Sequence, residues 1–326
     1  MRRTFLLFPL WFLFSLVVAH QATTFGVGEG QANLGGVIVF TLASVLVILG
    51  GTIGVVIYVR RQKRSGGLLW RAVPVIIAGI ATVLLITSLS NLRAPKAPAL
   101  VVELTGQRFW WGAREAGLVT AGEVWVPVGQ WIELRVTSAD VFHTLDLPAL
   151  GVKIDAIPGQ TTKAQFRIQT PGVYEGRNVE YNGPAYDRMR LRIFALPQET
   201  FDAFVRAARA YTPAPPDDPL AKKGFVLFQR HCASCHPVKG QPSPATPGPD
   251  LTLFRNRTTI ASGVWPNRPS FLEAWIQNAP EMKPGVRMPA FDLSREDLEA
   301  LLAYLQGLGV PGFDFQKQAA ASAKSQ

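Results

Sequence analysis

The chain has 326 residues, with 33 Lys and Arg against 23 Asp and Glu for a net charge of +10, and only two cysteines and four histidines. So few sulfurs leave no second Cys-x-x-Cys, which excludes a four-ligand zinc site of that kind. The basic excess is no pointer to nucleic acid: residues 1–92 alone hold seven basic residues and one acidic, so most of it flanks apolar segments, where positive charge orients a chain in a membrane.

Arg2 and Arg3, an apolar run from Phe5 to Val18 and small residues near Ala19 and Ala22 read as a secretory signal sequence over residues 1–22. The run is shorter than the about 20 apolar residues that a spanning helix needs. Residues 34–59 contain no charge, and residues 72–92 are uncharged between Arg71 and Arg93. Each is long enough to cross a bilayer, so the sequence predicts a two-helix transmembrane hairpin over 34–92. The intervening Arg60-Arg61-Gln62-Lys63-Arg64 belongs in the cytoplasm. Everything downstream then lies on the outer (periplasmic or extracellular) face of a bacterial cytoplasmic membrane.

Residues 99–196 change texture. Val124-Trp125-Val126-Pro127-Val128, Trp131 to Val136 and Leu191-Arg192-Ile193-Phe194 alternate or cluster β-branched and aromatic residues between Gly and Pro turns, predicting a β-sandwich. Residues 197–219 are expected to form a short amphipathic helix, Thr200 to Tyr211, and a proline-rich, semi-rigid linker, Thr212 to Pro219.

Both cysteines fall in His231-Cys232-Ala233-Ser234-Cys235-His236. Cys-x-x-Cys-His is the attachment pattern of a c-type haem: Cys232 and Cys235 close onto the vinyl groups and His236 is the proximal iron ligand. A thioredoxin-like redox pair is the competing reading, but there no histidine directly follows the second cysteine. For the sixth iron position the choice is between Met282 and Met288. Met288 is preferred, because Pro289 biases it toward extended backbone and presents the thioether from a stiff loop. Ser294 and Asp297 resemble a capping box opening a helix through Leu298, Leu301, Leu302 and Leu305. Residues 220–312 are thus expected to be a small all-α haem domain, followed by a disordered tail over 313–326.

This order of parts resembles subunit II of the haem-copper oxidases, cytochrome c oxidase subunit II, in its cytochrome-c-fused form. The strongest local matches are Gln107-Arg108-Phe109-Trp110-Trp111, Thr137 to His143, Leu150 to Gly159, Gly248 to Thr252, and Lys283-Pro284-Gly285 through Met288-Pro289. The resemblance implies a multidomain membrane protein with a cupredoxin-like all-β sandwich and a class I cytochrome c domain. In the family the sandwich holds a binuclear copper centre through an upstream His and Cys-x-Glu-x-Cys-Gly-x-x-His-x-x-Met.

The matching stretch here runs from Asn178 to Met189, and asparagine replaces both cysteines, Asn178 and Asn182, while Tyr186 replaces the histidine. His143, Met189 and Glu180 remain. An amide oxygen is a harder and weaker donor than a bridging thiolate, so binuclear copper is not expected. A weak mononuclear copper at His143 and Met189 is less expected than a buried histidine satisfied by its loop. By the same resemblance Glu180 faces a Mg²⁺ or Mn²⁺ near subunit I, the alternative being a plain surface carboxylate. Trp110 and Trp111 are either an electron relay, as an aromatic of this run is in relatives, or packing residues; without copper the packing reading gains.

The implied role is that of the subunit through which electrons enter a haem-copper terminal oxidase. A soluble cytochrome c or similar donor reduces haem c, and the electron passes directly to subunit I, where oxygen is reduced. The haem domain would then lie closer to the membrane than in copper-bearing relatives. No catalytic residue is expected within this chain. A nitric oxide reductase of the same superfamily, a quinol oxidase, and a noncatalytic assembly or electron-storage protein are the other readings.

Overall fold

The computed structural model describes residues 97–241 and 248–315, together with the helical positions Gly50, Ile53, Ile57 and Gly79. The signal sequence, both predicted spans apart from those four positions, and residues 316–326 lie outside what is described. Among the described residues no helix is long and apolar enough to cross a membrane.

The described residues from Pro98 to Phe315 form one compact unit. It begins with ten strands: β1 Leu100–Gln107, β2 Trp110–Glu115, β3 Leu118–Ala121, β4 Glu123–Pro127, β5 Trp131–Ser138, β6 His143–Leu147, β7 Val152–Ala156, β8 Thr162–Arg167, β9 Gly172–Asn178 and β10 Arg190–Leu196. They make two five-stranded sheets, ordered β3-β2-β1-β5-β8 and β4-β10-β9-β6-β7. β1 runs parallel to β5 with Leu104 opposite Val136, and β4 parallel to β10 with Val124 opposite Ile193. The period-two pattern places Val102 and Leu104, Ile132, Leu134 and Val136, and Leu191 and Ile193 in one core between the sheets. This is the sandwich expected for this stretch of sequence.

The opposite side of β4 and β10 is also covered. Trp125 and Phe194 point outward beneath α1 (Gln198–Ala210), which buries Phe201, Phe204, Val205 and Ala208 against them. Phe315 packs 5.4 Å from Trp125 and 5.0 Å from Phe204. The tail predicted from residue 313 is corrected here: Phe313 and Phe315 are anchored, because these two aromatic side chains complete the cluster beneath α1.

Among the described residues of the remainder there are three α-helices: α2 Pro219–His231, α3 Pro269–Met282 and α4 Arg295–Gly307. Asp218 caps α2, accepting from Ala221 N at 2.8 Å with Pro219 in the first turn. Ser294 caps α4, accepting from Asp297 N at 3.1 Å. Asp297 answers through the Ser294 hydroxyl at 2.8 Å, where the standard capping box uses the backbone N–H. α2 and α4 cross at Gly224, where a Cβ would collide with the Ala300 carbonyl. The expected all-α domain also carries a small hairpin, β11 Thr259–Ile260 with β12 Trp265–Pro266. Ala261, Ser262 and Gly263 turn it with φ of 53°, 61° and 82°.

That hairpin docks the helical domain on the sandwich. Glu123 of β4, buried, accepts from Thr258 N at 2.9 Å, Thr258 Oγ1 at 2.7 Å and Thr259 Oγ1 at 2.5 Å. Arg190 N donates to Ser262 O at 3.0 Å, and Arg188 Nη1 to Met282 O at 3.0 Å. The end of α1, just before the proline-rich linker, is pinned as well: Lys239 Nζ donates to Arg209 O and Tyr211 O at 2.7 and 2.8 Å.

Candidate haem and copper sites

Cys232 is the C-cap of α2, and its carbonyl accepts from Cys235 N at 3.0 Å and His236 N at 2.9 Å. This tight turn brings Cys232, Cys235 and His236 to one cavity of about 310 Å³, together with Met288 from the loop before α4. A second cavity of about 90 Å³ shares Cys232, His236 and Met288 and is walled by Phe228, Leu272, Ile276 and Leu301. Met282, the rejected alternative, ends α3 and is not among the lining residues.

His236 Nδ1 is 2.9 Å from Pro249 O. A proton on Nδ1 satisfies that carbonyl and leaves the Nε2 lone pair for a metal, the usual outer support of a ligating imidazole. Burial lowers the His236 pKa, which keeps the ring neutral, as ligation requires. Gly248 lets the loop close over it, since a Cβ there would stand 2.8 Å from both His236 Cε1 and Cys235 O. Burial, with Cys235 nearby, pushes the Cys232 thiol up to about 12, so it is held as a thiol. Two thiols, an anchored imidazole and a thioether on an apolar cavity fit a c-type haem. Bound there, the group would supply one-electron exchange.

The copper-matching positions are different in kind. His143 opens β6, fully buried, with its ring over Gly106 and 5.8 Å from that of Trp111. Its Nε2 is 3.0 Å from Asp140 Oδ1 and its Nδ1 2.8 Å from Asn182 Nδ2. Both ring nitrogens are thus engaged, with Nε2–H donating and Nδ1 accepting, and burial lowers the pKa despite Asp140. Asn178 is used by the backbone: Oδ1 accepts from Thr144 N and Glu180 N at 2.9 and 3.2 Å, and Nδ2 donates to Glu180 O at 2.8 Å. Met189 is buried in the sandwich core, and Tyr186 stacks edge-on against Tyr181 at 5.2 Å. Glu180 is half-buried. Among the described residues no cluster of three or more His, Cys, Asp or Glu could hold a metal. This donor set does not fit a thiolate-bridged copper pair.

The tryptophans part company. Trp111 is buried in the sandwich, while Trp110 borders the haem cavity. Sequence reasoning missed Lys283 as anything but a matching motif residue. Its side chain is 1% exposed and its Nζ donates to Phe109 O at 2.8 Å and Ala261 O at 2.9 Å. Glu123 and Gly224 were missed too; their partners lie 135 and 76 positions away, and no local pattern announces such contacts.

A cupredoxin-like sandwich carrying a cytochrome c-type domain defines an electron-transfer protein. Residues 107–195 match the family described as cytochrome C oxidase subunit II, periplasmic domain, and residues 221–309 match cytochrome c. Cytochrome c oxidase subunit 2 of Alkalihalophilus pseudofirmus is 35% identical over 252 residues, covering 74% of this chain and 72% of that one. The same subunit of Bacillus sp. strain PS3 is 27% identical over 266 residues, covering 74% of each. The crystal structure of the periplasmic domain of subunit II of cytochrome oxidase of Bradyrhizobium japonicum aligns with a TM-score of 0.34 at 29% identity, over 36% of this chain and 97% of that one. The chain belongs to the cytochrome c oxidase subunit II family, in a form with a C-terminal cytochrome c domain.

Proposed function

We propose that this chain admits electrons to a haem-copper terminal oxidase through a single carrier, a haem c attached to Cys232 and Cys235 with His236 and Met288 as iron ligands, and that its sandwich is a copper-free scaffold. The observation that carries this is a contrast within one unit. Cys232, Cys235, His236 and Met288 converge on one cavity, while His143 has both nitrogens hydrogen-bonded to Asp140 and Asn182. A soluble cytochrome c or similar donor would deliver the electron at the outer face. Subunit I, in the same membrane as the hairpin of residues 34–92, would receive it and reduce oxygen. A Mg²⁺ or Mn²⁺ at the subunit interface would draw on Glu180.

Stopped-flow mixing of the purified complex with reduced donor tests this route. Haem c should be reduced before the membrane haems, and copper analysis should show none bound to this chain. Normal reduction of the membrane haems after Cys232→Ser and Cys235→Ser would exclude it. The same copper-free donor set also suits a nitric oxide reductase, and oxygen against nitric oxide consumption by the complex separates the two.

A further inference from the structure

The two halves of the haem cavity differ in polarity. The inner cavity is walled mostly by aliphatic and aromatic side chains of the helical domain. The outer one opens on the seam with the sandwich, where Arg108, Trp110 and Gly122 form part of the wall. Arg108, Lys283 and Arg287 line only this outer part, Arg257 borders both, and no Asp or Glu is among the lining residues. Lys283 is buried, 1% exposed, whereas Arg257, 6% exposed, already donates to the Asp250 carbonyl with the Asp250 and Glu123 carboxylates nearby. Two of the three ammonium hydrogens of Lys283 are used by Phe109 O and Ala261 O, and among the described residues no carboxylate lies within ion-pair distance of it. A buried cation without a counter-charge is unfavourable unless an anion joins it. Arg108 meets Asp140 Oδ2 through its backbone N–H at 2.9 Å and its Nε at 3.6 Å, and its side chain is 41% exposed.

We propose that the sandwich completes the haem site: the two carboxylates of the bound macrocycle face the seam, where Lys283 from the helical domain and Arg108 from the β1–β2 turn form their anion cradle. This rests on the haem reading above. A flat apolar ring with both carboxylates on one edge has the same polarity gradient as the cavity, apolar inside and cationic at the seam. Charge-assisted hydrogen bonds from a guanidinium and an ammonium are the strong kind for a carboxylate. The carbonyl of Phe109 belongs to the sandwich, so the lysine that meets the cofactor is positioned by the neighbouring domain. The haem domain is then no tethered carrier free to redock, because leaving the sandwich would remove one cation and the carbonyl that holds another.

The test uses the full chain matured with haem, measuring covalent haem by pyridine haemochrome and midpoint potential by spectroscopic titration. Positive charge beside the cofactor favours the reduced state, so Lys283→Met and Arg108→Gln should both retain haem and both lower the midpoint potential. Arg108→Lys, which keeps the charge, should restore most of the shift. Lys222→Met, an equal charge change on the exposed surface of α2, sets the baseline. Potentials in both variants equal to that baseline would overturn the cradle. A fall in Lys283→Met alone would overturn the part assigned to the sandwich. Absence of covalent haem from the unsubstituted chain would strike the cofactor reading instead, whatever the potentials.

Discussion

The Lys283 ammonium lies 2.8 Å from the carbonyl oxygen of Phe109, a residue 174 positions earlier in the chain. Burial, with Arg188 and Arg190 nearby, pushes its pKa down to about 7. In the unfolded chain it would protonate near its ordinary value of 10.5. The folded state therefore binds fewer protons than the unfolded state between about pH 7 and 10.5, and stability rises with pH across that window. A carboxylate joining the ammonium would lift the folded pKa and flatten the rise. The haem-free Cys232→Ser, Cys235→Ser chain should thus gain stability, on the order of a few kcal/mol, from pH 7 to 10. The haem-bearing chain should gain less. Urea denaturation of both across that range reads the difference, and parallel pH curves would contradict it.

Glu115 gives the opposite slope. Burial raises its pKa to about 8, against hydrogen bonds from Trp125 N at 3.1 Å and the Thr120 hydroxyl at 3.4 Å. A raised folded pKa means that the stabilising contribution is complete below about pH 4.5 and is lost as pH rises through 8. Glu115→Gln keeps an acceptor for Trp125 N–H and cannot ionise. The variant should therefore lose less stability than the parent between pH 5 and 8, by a few kcal/mol at the upper end. Comparing the two chains cancels the contribution of every other titrating group.

Glu123 ties the sandwich to the hairpin of the haem domain through Thr258 and Thr259. Glu123→Gln swaps one acceptor oxygen for an NH₂ that faces donors, leaving buried groups unsatisfied. We expect about 1–3 kcal/mol of destabilisation. The exposed Glu103→Gln should stay within about 0.5 kcal/mol of the parent. Equal thermal midpoints for the two variants would show that the Glu123 contacts do not hold the domains together.

Much of this was legible in the sequence because it is local. Cys232 through His236 is a contiguous motif, Pro289 marks the Met288 loop, and the alternation in β5 and β10 survives in single runs. The losses at Asn178, Asn182 and Tyr186 were equally plain. What the side chains do instead was not legible. That Asn182 turns its amide to His143, and that Asn178 bridges β6 to the following loop, follows from a fold that brings together residues about 40 positions apart. The docking of the haem domain was hidden for the same reason. A proline-rich linker specifies reach, whereas Glu123, Arg188 and Lys283 fix the position through contacts with no sequence period.

The asparagines also suggest how the copper site can be recovered. Asn182 both replaces a thiolate and occupies His143 Nδ1 through its Nδ2 at 2.8 Å, so one substitution would restore a soft ligand and free an imidazole nitrogen. Its Oδ1 is buried without a hydrogen-bond partner, so the native amide is not fully satisfied there. Met189 and Glu180 are already present in the same loop. The combination Asn178→Cys, Asn182→Cys, Tyr186→His should therefore bind a thiolate-bridged copper pair, since soft sulfur selects copper and shares its charge. Metal analysis and EPR after copper loading read the result, with the unsubstituted chain as the zero. Asn182→Cys alone should weaken the fold less than Asn178→Cys, because Asn178 Oδ1 holds two backbone N–H groups, and leaving buried donors unpaired costs about 1–3 kcal/mol. A triple variant that folds, keeps its haem and still binds no copper would show that more than the ligand set separates this sandwich from a copper protein.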